Sequence, residues 1–581
     1  MVAQSLQGIA ASPGIAIGPI FHYRPRRVMA EHYPIDDVDG EIVRLEQALA
    51  EARRELDALS IQMRDGIGPR EAAIFEAHRM FLDDPELLGR VWARLQTDRV
   101  NAEYAWQEGA QHYAAALEAI GDNHLAARAA DVQDVAQRVL RILSNKTSQV
   151  AGPTEAAVIV ADDLAPSDIV ALDRAKAIAF CTAGGGPTSH AVILSKALGI
   201  PAIVGLGDAV RHGPEGVRAI VDGANGTLLI DPDEATIAEY RQRAEAFRQM
   251  RDSAFGVADQ QAVTTDGVHV EVMANIGSVE EAAAALASGA EGVGLLRTEF
   301  LYLDRDNPPD EDEQTAIYRA VFEMMGQRPV VVRTLDVGGD KPVSYLNMLV
   351  ELNPFLGLRG VRLTLARPDL FRTQLCALLR SGEGHNLRIV FPMVATVEDV
   401  IAARRYVDEA RASLDARGLR YARQCQVGIM VEVPSAAVIA DTLAEVVDFF
   451  SIGTNDLAQY TLAADRTNAA VSPMADAFHP AVLRLIGMVI EAAHARGRRV
   501  GLCGELAGEP LAAPVLLGLG LDEFSMGLRS IPLVKQAIRR FSTEQAGSIA
   551  RRALSLRTAS EVRAYLTSVA SQVGDRPNES R

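Results

Sequence analysis

Cysteine is scarce in this sequence: Cys181, Cys376, Cys425 and Cys503 are the four among 581 residues, and they lie far apart. That excludes a disulfide framework and a paired-cysteine metal motif, and it suits a reducing compartment. Long hydrophobic runs are missing too. No segment is apolar enough to cross a membrane, and no charged-then-apolar leader opens the chain, so a cytoplasmic protein without membrane insertion is expected. Positive charge is in deficit, with 58 Lys and Arg against 76 Asp and Glu, for a formal net charge of −18. A general binder of nucleic acid or anionic membrane has the opposite balance. The acidity suits a basic protein partner, or serves solubility alone. There is no low-complexity segment and no repeat of solenoid period.

What the chain does contain is apolar residue, 48%, and a length that predicts several domains. Gly8 to His22 reads as a short strand pair broken by Pro and Gly. Ile42, Leu45, Leu49, Ala52, Leu56, Leu59 and Met63 alternate spacings of three and four, a heptad stripe that predicts a helix packed along another helix. Gly66-Ile67-Gly68-Pro69 stops it. Further helices are predicted over 71–82, 85–97, 102–120 and 131–143, making an all-helical insert of hairpins. From Ala156 the period changes. Strands at 157–160, 177–180, 203–204 and 219–221 predict an α/β domain that begins near Gly8 and is interrupted by the insert. A charged helix over 234–252 then connects to the remainder.

The α/β segment centres on Gly184-Gly185-Gly186-Pro187-Thr188-Ser189-His190. The glycines let a backbone approach a ligand closely. Thr188 and Ser189 are favoured N-caps, and 191–198 is free of Gly and Pro, so a helix is expected with His190 in its first turn. Unpaired N–H groups and the positive dipole end there favour a phosphate, and a histidine so placed can accept a phosphoryl group. By itself His190 is also compatible with a surface histidine in a Gly-rich turn. Taken with the break Leu198-Gly199-Ile200-Pro201 and the run Ala202-Ile203-Val204-Gly205, the segment resembles the phosphohistidine domain of enzymes that use phosphoenolpyruvate.

Beyond residue 260, apolar strands alternate with helices. Strands are expected at 268–273, 292–296, 330–332, 360–363, 389–392, 428–431, 449–452 and 500–503, with helices such as 279–286, 311–325, 397–413 and 482–495 between most of them. Eight such strands predict a (β/α)8 barrel, whose site lies at the C-terminal ends of the strands. Polar residues collect there: Arg297, Arg333, Glu432, Asn455 with Asp456, and Cys503. Singly, each is a structural ion pair or packed polar group as readily as a functional one. Together they fit phosphoenolpyruvate. Arginine matches a phosphate and a carboxylate in two-pronged geometry. Glu432 and Asp456 can offer carboxylate oxygens to Mg²⁺. Cys503 is placed to give a proton to the departing enolate, although a buried inert thiol is the plain alternative.

The motifs then become specific. Gly294 to Phe300, Arg333 to Lys341, Asn353 to Gly357, Glu432-Val433-Pro434, Ser451 to Leu457, Gln459-Tyr460, Asp465-Arg466 and Cys503 to Gly508 resemble, in order, those of Enzyme I of the bacterial phosphotransferase system. The resemblance implies that His190 is phosphorylated and that Cys503 is the proton donor. It implies that Arg297, Arg333, Lys341, Arg359, Asn455, Asp456 and Arg466 bind phosphoenolpyruvate, and that Glu432 and Asp456 hold Mg²⁺. It further implies transfer to the phosphocarrier HPr as the first step of sugar uptake, with the helical insert as docking domain and a homodimer formed through the barrel. The implied domains are 1–22 with 146–230 (phosphohistidine), 23–145 (HPr docking), 231–260 (helical linker), 261–570 (barrel) and 571–581 (disordered tail). A swivel about 231–252 is expected, because His190 and the barrel lie on different domains. Pro187 departs from the arginine many relatives carry. The acidic residues Glu71, Glu76, Asp83, Asp84 and Glu86 steer a basic HPr or are solvated helix faces. The alternatives are a nitrogen-type regulatory Enzyme I, which typically adds an N-terminal sensor domain, and a synthase or dikinase, which needs a nucleotide-binding domain. A third is a barrel lyase, in which the His190 domain has no purpose.

Overall fold

A computed structural model describes residues 4–24, 28–66, 69–119, 123–145, 152–186, 189–303, 305–338, 343–346, 351–468 and 471–574. Pro187, Thr188 and Lys341 lie outside the described residues, and of His190 the backbone alone is described. The chain divides into two compact units, Met1–Gln249 with Thr467–Ala469, and Met250–Arg466 with Ala470–Arg581.

The first unit opens with strands β1 (Gln4–Gln7), β2 (Ile9–Ser12) and β3 (Ile15–His22). Helices α1 (Val38–Gly66), α2 (Pro69–Phe81), α3 (Pro85–Ala93), α4 (Ala102–Ala119) and α5 (Asn123–Leu143) follow. The α/β pattern resumes with β4 (Ala157–Ala161), α6 (Pro166–Ala171), β5 (Ala177–Thr182), α7 (His190–Leu198), β6 (Ala202–Val204), β7 (Arg218–Asp222) and β8 (Thr227–Ile230). Helix α8 (Glu234–Gly256) leads out. The sheet order is β1-β8-β7-β3-β4-β5-β6-β2. The heptad stripe is buried as expected at Leu45, Leu49, Ala52, Leu56 and Met63. Its apolar cluster continues without a break into Ile159, Ile169, Phe180, Val192 and Leu194 of the α/β portion. Arg138 of α5 also donates to Ser167 Oγ of α6 at 2.8 Å.

Some expectations for this unit need correction. The strands of 8–22 exist but do not pair with each other: β2 pairs with β6, and β3 pairs with β4 and β7. The expected strands do not include β1, polar apart from Leu6, or β8, a short run of Leu228, Leu229 and Ile230 after Thr227. Helix α5 starts at Asn123 rather than 131, and the helix expected over 85–97 changes at Ala93 into a π-helical turn, Arg94–Asp98.

The second unit adds β9 (Ala262–Val263), β10 (His269–Ile276), α9 (Val279–Ala287), β11 (Val293–Leu296), α10 (Glu311–Met325), β12 (Val330–Arg333), α11 (Gly360–Ala366), α12 (Pro368–Ser381) and β13 (Leu387–Phe391). Then come α13 (Val397–Ala416), β14 (Gln426–Val431), α14 (Pro434–Val438), α15 (Ala440–Leu443), β15 (Phe449–Ile452), α16 (Thr454–Leu462), α17 (Pro480–His494) and β16 (Arg499–Leu502). The unit ends with α18 (Ala513–Gly518), β17 (Glu523–Met526), α19 (Ile531–Ile538), α20 (Thr543–Leu554) and α21 (Ala559–Gly574). Strands β10 to β17 are all parallel, and β17 pairs back onto β10, so the barrel closes. Alternation along the strands divides two cores. Val330, Val332, Ile429, Val431, Phe450 and Ile452 pack toward the helices. Leu295, Val331, Val390, Met430, Phe449 and Cys503 form a separate inner cluster.

The fourth expected strand is wrong. Val361, Leu363 and Leu365 alternate like a strand, yet 360–366 is helix α11, entered at Gly360 with φ +57°. The eighth barrel strand is instead Glu523–Met526, whose polar Glu and Ser alternate with Phe and Met and give no apolar run. At the C-terminus, 571–574 is the last turn of α21 rather than part of a disordered tail, and 575–581 lies outside the described residues.

Candidate active site

Alternation along the barrel strands fixes where the polar residues point. Arg333, Glu432 and Cys503 stand two positions beyond Val331, Met430 and Gly501, on the inward face at the C-terminal ends of β12, β14 and β16. Arg297 follows β11, Arg359 is the N-cap of α11, Asn455 and Asp456 lie in the first turn of α16, and Arg466 lies beyond its end.

Ion pairs tie these side chains into one chain of charge. Arg333 is buried and meets Glu299 at 2.7 Å, Asp336 at 3.1 Å and Glu432 at 4.0 Å. Arg359, also buried, grips Asp336 through Nε at 3.1 Å and Nη2 at 2.8 Å, and reaches Asp456 through Nη1 at 3.1 Å. Arg466 approaches Asp456 at 3.7 Å. The Phe355 ring lies 5.8 Å from the Arg359 guanidinium carbon and 6.0 Å from that of Arg466. Tyr460 donates to the Phe355 carbonyl. The backbone N–H of Glu505 donates to Asn455 Oδ1 at 2.9 Å, which joins the start of α16 to the segment after Cys503.

Buried polar groups hold the Arg333 segment in place. Gln374 accepts from Leu335 N at 2.9 Å and donates to Thr298 Oγ1 at 3.1 Å, while Thr298 donates to the Arg333 carbonyl at 3.0 Å. Glu432 is set by strained backbone: Met393, buried and at φ +59°, donates its N–H to Oε2 at 2.8 Å. Positive φ in a non-glycine residue is unfavourable and recurs at functional sites.

The electrostatics follow from this crowding. Burial, then the Asp456 and Asp336 carboxylates, push the Glu432 carboxyl well above the usual range against the pull of Arg333 and Arg359. Burial pushes the Cys503 thiol up to about 11, while a hydrogen bond from Ser451 and the charges of Arg333 and Arg297 oppose that rise.

In the first unit, His190 is the first residue of α7 and Ser189 is its N-cap. The glycine turn before it is held by the strand beyond: Gly205 N donates to the Gly184 carbonyl at 2.9 Å and Gly207 N to the Ala183 carbonyl at 2.9 Å. Gly185 has φ +91°, which a side chain resists.

The sequence reading assigned no role to Glu299, Asp336, Ser451 or Met393. For the first two a signal existed, because a buried arginine needs counter-charges and both acids sit within the motifs that carry Arg297 and Arg333.

Comparison with known proteins agrees with this layout. Residues 7–128 match the model of the PEP-utilising enzyme N-terminal domain, 153–226 the mobile domain, and 252–543 the PEP-binding domain. The chain is 46% identical over 566 residues to the phosphoenolpyruvate-protein phosphotransferase of Geobacillus stearothermophilus, covering 97% of this chain and 98% of that one. It is 44% identical over 564 residues to that of Bacillus subtilis (strain 168), covering 97% and 99%. A histidine opening a helix behind a glycine turn, a barrel whose mouth is crowded with arginine and carboxylate, and near-full-length identity agree: this chain belongs to the phosphoenolpyruvate-protein phosphotransferases, within the PEP-utilising enzymes.

Proposed function

We propose that the chain moves the phosphoryl group of phosphoenolpyruvate to His190 and then to a histidine of HPr, releasing pyruvate, as the first step of sugar uptake by the phosphotransferase system. The observation that carries this is the ion-pair chain Arg333–Asp336–Arg359–Asp456 at the barrel mouth. Buried guanidinia with surplus donors suit a ligand with one phosphate and one carboxylate. Arg297, Arg333, Arg359 and Arg466, with Lys341 and Asn455, bind it. The P–O bond to the enol oxygen breaks, a P–N bond to His190 forms, and the enolate takes a proton at carbon from Cys503 and collapses to the ketone.

The residues present fit Mg²⁺. Asp336, Glu432 and Asp456 are buried carboxylates in one mouth, and their crowding raises Glu432. Among the described residues no three His, Cys, Asp or Glu converge on one point. Glu432 and Asp456 would hold the ion, with water and substrate completing its shell. When bound, it neutralises charge that moves as the phosphoryl group leaves.

The domain assignment follows this reading: 1–22 with 146–230 carries the phosphohistidine, 23–145 docks HPr, 231–260 links, and 261–570 is the substrate barrel. We further propose a cytoplasmic homodimer formed through the barrel. Among the described residues no helix is long and apolar enough to cross a membrane. The test is incubation with labelled phosphoenolpyruvate and Mg²⁺. Acid-labile label on the wild type and none on His190→Ala is expected; label on both, or on neither, defeats the assignment of His190.

A further inference from the structure

Cys503 has a buried neighbour that the substrate site does not use. Ser451 stands on β15 two residues after Phe449, so alternation turns its side chain into the barrel with the inner cluster. It is buried, and its hydroxyl donates to Cys503 Sγ at 3.3 Å. The thiol faces the Ile452 carbonyl at 3.7 Å, and Asn275 Nδ2 donates to the Cys503 carbonyl at 2.9 Å. Asn275 is itself held by Ser525 Oγ at 2.6 Å. The sulfur is therefore fixed from β15 and its backbone from β10. The charged groups that face the thiol are Glu432, Arg333 and Arg297.

We propose that Ser451 is a positioning residue for the Cys503 thiol, its hydroxyl aiming the sulfur into the barrel mouth and stabilising the thiolate left when the proton is given up. This rests on the reading of Cys503 as proton donor. In that step the S–H bond breaks, a C–H bond forms at the enolate carbon, and sulfur keeps the electron pair. The thiolate becomes a stronger acceptor, and the Ser451 O–H, already directed at it, strengthens without rearrangement. Among the described residues the buried Ser451 hydroxyl has this one side-chain hydrogen bond, to the neighbouring sulfur, and a buried donor is satisfied by such a partner.

The test uses the full chain with Ser451→Ala, Ser451→Thr and Cys503→Ala, phosphoenolpyruvate and Mg²⁺. Two events are followed in a single turnover, label on protein and ketonisation to pyruvate. Alkylation of Cys503 by iodoacetamide, located by mass spectrometry, is measured without substrate. For Ser451→Ala, labelling should keep its half-saturating phosphoenolpyruvate concentration. Ketonisation and alkylation should each slow by about tenfold, the worth of one hydrogen bond to a charged group. Ser451→Thr, which keeps a hydroxyl next to an internal cavity bordered by Ser451, should recover both. If Cys503→Ala slows ketonisation while Ser451→Ala changes neither rate, the Ser451 inference is overturned and the proton donor stands. If Cys503→Ala ketonises as fast as the wild type, the proton-donor reading itself fails. Slowing in Ser451→Ala that Ser451→Thr does not recover assigns Ser451 to packing alone and overturns the inference.

Discussion

Asp336 shares its carboxylate between Arg333 and Arg359. Its loss leaves two buried guanidinia short of a partner. Breaking a buried pair costs about 3–5 kcal/mol, more than the pair adds over an apolar replacement. Asp336→Ala should therefore lower barrel stability by about 3 kcal/mol in urea unfolding, and Asp336→Asn, which keeps an acceptor, by clearly less. Residues that carry chemistry were legible at this scale because arginine, glutamate and cysteine recur after apolar runs. The motifs put Glu299 and Asp336 near the arginines, but which acid meets which arginine across the chain was not legible. Glu299 meets Arg333 across 34 positions of chain, and Arg359 meets Asp456 across 97. Such pairings depend on closure of the barrel, which no local pattern records.

Two elements show what alternation can and cannot tell. The run Val361-Arg362-Leu363-Thr364-Leu365 has a strand's period and folds as helix, because Gly360 at φ +57° turns the chain and Val361 and Leu363 still reach the core. A Cβ on Gly360 would stand 2.8 Å from Met393 Cβ. Gly360→Ala should thus displace the residue whose N–H holds Glu432, and Mg²⁺ affinity measured by calorimetry should fall about tenfold. Strand β17 escaped notice for the opposite reason, since its inward Glu523 and Ser525 are polar. Glu523 is buried near Arg388, and burial, with Glu271 adding, raises its carboxyl to about 7 against the pull of Arg388 and Arg499. The native state then holds a proton that the unfolded chain has lost. The contribution is whole below about 4.5, the free value, and disappears as pH rises through about 7. The wild-type barrel should lose up to about 3 kcal/mol from this group between those limits, and Glu523→Gln should flatten that part of the stability profile.

For the whole molecule, the hydrophobic clusters fall within the units: one large cluster and the inner barrel cluster in the second, two others in the first. Calorimetry should resolve two unfolding transitions, with Glu523→Gln shifting only that of the second unit; a single transition shifted as a whole would defeat the independence of the cores. The alternation of helix and strand periods made both architectures readable, whereas sheet order was not, because β1, β2 and β8 find their partners across the inserted helices. That insert shares its apolar cluster with the α/β portion, including helix α7, which His190 opens. The consequence is kinetic. A protein held on the inserted helices keeps a constant bearing to the start of α7, so its meeting with His190 is not a second diffusional search. It is governed by an effective concentration set once, by the shape of a single body.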